Sequence, residues 1–161
     1  MGWRRHPKSC RNKPSSPISD LHQRWLDALY WFGQSRREPT EFVGLVNAGI
    51  CLDVLANGRK AGGIIALCCA LFSIQADSAV MADGTSLKSL VETIYNEGRS
   101  KISHGGQPNF LKELPIQRDT TIIFAAHALA RYMEGLSRYN GPDQYEDYLS
   151  ALPSVFSFPS S

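Results

Sequence analysis

"YNEGRSKISHGG", residues 95–106, decides how this chain is read. It prolongs an apolar helical repeat and ends on two glycines, yet it carries Arg99 and His104 with four residues between them. Leu87, Leu90, Val91, Ile94 and Ile102 recur at helical spacing, with Tyr95 at the edge of their stripe. At roughly 100° per residue, Arg99 falls just off the stripe and His104 beyond its other side, about 140° away. The two are not strict helix neighbours, because that needs a spacing of three or four. Gly105, Gly106 and Pro108 stop the helix. A loosened helix end can turn the His104 ring back toward Arg99, or toward a second copy of the chain.

Working outward, the pattern is helical throughout. The spacing predicts a first helix over Ile18 to Ser35, with Leu21, Trp25, Leu29 and Phe32 on one face. Pro39 and Thr40 open a second, Glu41 to about Ala56, closed by Asn57-Gly58. A third spans about Gly62 to Ala76. Asp83-Gly84 makes a turn, and Ser86 caps a fourth that runs from Leu87 to about His104. A fifth covers about Arg118 to Tyr139, with Ile122, Ala126, Leu129, Met133 and Leu136 toward the core. Pro142 opens a last short helix holding Tyr145, Tyr148 and Leu149. Short connections favour a compact all-α, antiparallel bundle of about five helices. The 161 residues suit one domain with a core. The expected organisation is a disordered basic tail over 1–18, a helical domain over 19–150 and a flexible tail over 151–161.

Charge narrows the function classes. Residues 1–13 carry Arg4, Arg5, Lys8, Arg11 and Lys13 and no acid. Removing those five from the 17 basic residues leaves 12 against 15 acidic ones, a net of −3. The folded part is therefore not a generally basic nucleic-acid binder, and any RNA contact must be local. No apolar run reaches membrane-spanning length, Ala61 to Ala76 being the longest. No signal-peptide core follows the basic start. A soluble, cytoplasmic protein is expected. Cys10, Cys51, Cys68 and Cys69 form no CxxC pair, which argues against a zinc site or a disulfide framework. No set of metal or cofactor ligands stands out.

A second polar residue interrupts helix two. Phe42, Val46 and Gly49 define its buried face, and Asp53 falls at the centre of it, among Leu45, Ile50, Leu52 and Val54. A buried carboxylate without a partner is costly. One reading pairs it with Arg99. The other has it capping a neighbouring helix or accepting a backbone N–H.

The wording Y-x-x-x-R-S-K-I-x-H-G, Tyr95 to Gly105, resembles the Arg-x(4–6)-His motif of HEPN domains, and most of all the ApeA-like HEPN group. "RWLDALYWFGQS" (Arg24 to Ser35) and "NAGICLDVLA" (Asn47 to Ala56) are similar in order and spacing to that group's first two helices. There an acidic residue often stands where this chain has Asp53. The likeness covers about residues 20 to 140. It implies an up-and-down bundle that dimerises through the motif helix. It also implies an RNA substrate, metal-independent endoribonuclease chemistry, and a place in a toxin–antitoxin or antiviral defence system with an antitoxin or a larger assembly as partner. In that reading His104 is the general acid/base and Arg99 the phosphate and transition-state stabiliser. Asp53 orients Arg99, and Ser100 and Lys101 make secondary contacts. The alternative is a catalytically inactive HEPN module for dimerisation or for binding RNA, nucleotide or protein. In active members Asn, Asp or His often follows the arginine, where this chain has Ser100.

Other signals weigh less. His127 and Arg131, four apart, could pair, but His127 lies near the apolar stripe and reads as a half-buried neutral ring. His22 reads as a surface residue. "NGRKAGG", Asn57 to Gly63, is a basic glycine-rich turn that could meet an anion. It lacks the ending of a phosphate-binding loop.

Overall fold

The computed structural model describes residues 18–96 and 118–157. Six helices occupy them: α1 (Asp20–Arg37), α2 (Glu41–Leu55), α3 (Lys60–Phe72), α4 (Leu87–Tyr95), α5 (Arg118–Arg138) and α6 (Tyr145–Phe156). Among the described residues the fold is all-α, and the one piece of extended pairing is a bridge between Ala79 and Ser86. The expected tail over 1–18 lies outside the described residues, apart from Ile18.

Local chemistry explains the helix ends. The Ser19 side chain accepts the N–H of His22 at the start of α1, with Asp20 in the first turn and Arg36 and Arg37 in the last, matching the helix dipole. Asn57 (φ 61°) and Gly58 (φ 69°) turn left-handed after α2. Ser73, also left-handed at φ 53°, ends α3 four residues before the expected Ala76. The Asp83-Gly84 turn and the Ser86 cap on Ser89 N–H are as read from the sequence.

α2 is the middle of the bundle. It lies against α1, α3, α4 and α5, and meets α3 at 69° across their short turn. That position explains its near-continuous apolar composition, since most of it is buried and the stripe of Val43, Asn47, Ile50 and Val54 is half-buried. Leu45, Cys51, Leu52 and Leu55 are fully buried. No single helix among the described residues is long and apolar enough to cross a membrane.

Named contacts fix the directions. Arg24, early in α1, donates to the Val54 carbonyl late in α2. Arg118, opening α5, donates to the Ser35 carbonyl late in α1. Hence α1 runs opposite to both α2 and α5. A Cβ on Gly44 would meet Arg118 Nε at 2.5 Å, so the glycine makes room for that side chain. The Tyr148 hydroxyl donates to the Tyr132 carbonyl at 2.7 Å, and Gly135 faces Tyr148 and Leu152, so α6 folds back along α5.

Two helix faces differ from the periodicity reading. In α1 the buried residues are Leu21, Ala28 and Ser35, while Leu29 is 38 % exposed. In α5 they are Thr121, Ala125, Ala128, Leu129, Tyr132, Gly135 and Leu136, with Ile122, Ala126 and Met133 only half-buried. Small residues let the axes approach, and the larger side chains flank the contact. The flexible tail expected over 151–161 is corrected for its described part, and residues 158–161 lie outside the described residues. α6 continues to Phe156, and Leu152 is wholly buried. Tyr145, Tyr148, Leu152 and Phe156 form one stripe, and the Arg131 guanidinium lies 3.7 Å from the Phe156 ring centre. Pro153 faces outward and forfeits a single hydrogen bond near the helix end.

Two outcomes follow. Leu152→Ala should cost about 2–5 kcal/mol in chemical denaturation, whereas a flexible tail would give no change. Asp143 accepts the N–H groups of Asp20 (2.6 Å) and Leu21 (3.0 Å) at the start of α1. Burial raises its pKa, but those bonds, with Ser19 and His22, outweigh it and leave it below the usual carboxylate value. Its contribution to stability is therefore full above the unfolded value of about 4 and fades as pH falls through the lower folded one. Denaturation of wild type and Asp143→Ala at several pH values should show their difference shrinking only in that acid range.

Candidate functional site

The expected site combines an α2 residue with residues that follow α4. Leu87, Leu90, Val91 and Ile94 are buried along α4, and Tyr95 is half-buried, as the stripe required. Arg99, Ser100, Lys101 and His104 lie outside the described residues. What the structure gives is the floor from which they continue. A Cβ on Gly49 would lie 3.4 Å from the Ile94 side chain, so the last turn of α4 rests on the middle of α2. Asp53 is one helical turn beyond Gly49 on the same face.

Asp53 is buried, at 6 % exposed. Its Oδ1 accepts the backbone N–H of Lys60, the first residue of α3, at 2.9 Å. Its own carbonyl accepts the N–H of Gly58 at 2.8 Å. The left-handed conformations of Asn57, Gly58 and Lys60 bring that helix start back over the carboxylate. The capping reading of Asp53 is thus present, and a carboxylate at a helix start is well placed against the dipole. Its pairing with Arg99 lies outside the described residues.

The remaining chemistry-bearing residues are largely committed. His127 is exposed rather than half-buried, because α5 is turned by one residue from the expected face. Arg131 donates to the Leu71 carbonyl and to Glu134 and covers Phe156. His22 is exposed and bonds Ser19. Burial pushes the Cys51 and Cys68 thiols up to about 12 and also raises Cys69, which makes all three poor nucleophiles at neutral pH. Among the described residues no group of three His, Cys, Asp or Glu side chains could hold a metal ion.

Sequence reasoning missed a second polar cluster. The guanidinium carbons of Arg24 and Arg59 lie 5.3 and 5.6 Å from the centre of the Tyr145 ring. Arg59 also pairs with Glu146. Buried Tyr132 stands close enough to Arg24, Tyr145 and Asp143 to feel their charges. The tyrosines sit in apolar stripes.

Comparison with protein-family models, with curated proteins and with solved structures finds no match for this chain.

The capping geometry is open to direct measurement. Asp53→Ala should lose about 0.5–2 kcal/mol of stability, the usual worth of such an acceptor, plus any cost of the space left behind. Asp53→Asn keeps an acceptor oxygen for Lys60 N–H and should retain most of it. Equal losses in the two variants would contradict the capping role.

Proposed function

We propose that the chain is a metal-independent endoribonuclease of the HEPN type, cytoplasmic, and acting in defence or as a toxin. The observation that carries this reading is the Arg99-Ser100-Lys101-Ile102-Ser103-His104-Gly105 wording in an all-α chain. Two features support it. The residues before the motif form an amphipathic helix resting on α2, and Asp53 is buried one turn further along that same face of α2.

The chemistry needs few parts. RNA brings its own nucleophile, the ribose 2′-OH. A histidine with an ordinary pKa near 6.5 can take that proton at neutral pH. The 2′ oxygen attacks the adjacent phosphorus, the bond from phosphorus to the 5′ oxygen breaks, and the leaving oxygen takes up a proton. The products are a 2′,3′-cyclic phosphate and a 5′-OH. Arg99 would clamp phosphate oxygens with two donors at once and stabilise the charge that builds on them. One histidine cannot easily serve both sides of a phosphate. A homodimer that brings two motif helices together supplies His104 twice, with Ser100 and Lys101 as secondary contacts. An antitoxin or a larger defence assembly would be the neutralising or regulating partner.

Ser100 favours a second reading. A hydroxyl that does not titrate replaces the residue that often follows the arginine in active members, so the domain could bind RNA, nucleotide or protein without cutting.

Incubation of the purified protein with RNA in EDTA separates the two. Cleavage leaving cyclic-phosphate ends, reduced about 10²-fold or more in both Arg99→Ala and His104→Ala, is the expected result. If His104→Ala cuts as well as wild type, the catalytic assignment fails. If wild type binds RNA without cutting, the second reading holds. Sedimentation should show a dimer.

A further inference from the structure

One end of the bundle holds an excess of hydrogen-bond donors that the proposed ribonuclease chemistry does not use. It lies where α1, the α2–α3 turn, α5 and the start of α6 converge. Tyr132 is fully buried and Tyr145 is 6 % exposed. Neither phenol oxygen finds a hydrogen-bond partner among the described residues, and the same is true of buried Arg24 Nε. A buried donor without an acceptor costs about 1–3 kcal/mol. Arg118 Nε and Thr121 Oγ1 also lack a partner among the described residues, but three such groups gather at this one end of the bundle.

The electrostatics have the same sign. The Arg24 and Arg59 guanidinium groups both stand against the Tyr145 ring. Glu146 answers Arg59. The hydrogen-bond partner of Arg24 is a neutral carbonyl, that of Val54, at a long 3.3 Å. Asp143, the other nearby acid, is occupied with the N–H groups of Asp20 and Leu21. Burial pushes the Tyr145 hydroxyl up to about 12, against the pull of Arg59 and Arg24, and raises Tyr132 as well. Both therefore remain donors at physiological pH.

We propose that Arg24, Arg59, Tyr132 and Tyr145 form a binding site for a small phosphate-class oxyanion. Guanidinium and protonated phenol groups supply hydrogens, and an oxyanion supplies the acceptors they lack. The donors come from four different elements. A tetrahedral phosphate, which accepts in several directions, suits that spread better than a planar carboxylate. Arg59 is the solvent-facing member, with its side chain 48 % exposed, and the two phenols are buried. The Arg99–His104 chemistry does not use this arrangement, so the proposal stands apart from the ribonuclease reading.

The test uses the full chain and thermal unfolding at one ionic strength in chloride, inorganic phosphate or adenosine monophosphate, with phosphorus NMR for affinity. The expected result is a saturable rise in Tm with phosphate over chloride. The affinity should fall at least tenfold in Tyr145→Phe and in Arg59→Gln. Tyr145→Phe removes one oxygen and keeps the ring, so it carries the test if an Arg24 variant does not fold. A response to both phosphorus compounds supports a site that takes the phosphate of a nucleotide. A response to inorganic phosphate with none to the monophosphate supports a site for the free ion. No saturable difference between phosphate and chloride overturns the proposal. So does an unchanged affinity in Tyr145→Phe.

Discussion

The start of α3 is held by a carboxylate from α2, and much of the bundle depends on that contact. α2 lies against four other helices, so a polar side chain on its buried face must find its partner inside the protein. Asp53 does so at the backbone N–H of Lys60. Satisfying that bond requires the chain to reverse within a few residues, and left-handed Asn57, Gly58 and Lys60 accomplish it. The reversal sets the 69° between α2 and α3. Once α3 leaves at that angle, its Leu67, Cys68 and Leu71 close the core against α5 and α6. It also puts Arg59 beside Tyr145 and Glu146.

Much of this was legible beforehand. Hydrophobic spacing placed the helices, and Ser86, Asn57 and Gly58 marked their ends, because caps and left-handed turns are local chemistry. Faces were harder. Periodicity favours large apolar residues, and so pointed at Leu29, Ile122 and Met133. The closest helix contacts instead use Ala28, Ser35, Gly44, Ala125, Ala128 and Gly135, residues whose value lies in what they leave out. A window of sequence cannot show how near a second axis will come. The same limit misplaced the end of the domain. The expected tail began at residue 151, but Leu152 and Phe156 complete a stripe whose worth depends on α5 lying beneath it.

The site divides the same way. Asp53 could be found from sequence because a charge at the centre of an apolar face is conspicuous. Its bond to Lys60 could not, because it depends on the path of the turn between them. The tyrosine–arginine cluster was hidden for the opposite reason. The expected face of α5 leaves Tyr132 out, Tyr145 reads only as a member of the last short helix, and Arg24 and Arg59 look like surface residues until the helices converge.

The two readings of Asp53 are not rivals in physical terms. A carboxylate offers two oxygens and about four lone-pair sites, so accepting the Lys60 N–H does not by itself exclude a second donor. A group that positions a catalytic cation must itself be held still, and a backbone bond at a helix start holds it more firmly than a mobile side chain would. The contact that orders α3 would then also fix the oxygen from which an arginine takes its direction. The face of α2 that carries Gly49 and Asp53 is the face on which Ile94 rests. Asp53 therefore serves the packing of α2 twice, as the acceptor that starts α3 and as a neighbour of the surface that receives α4.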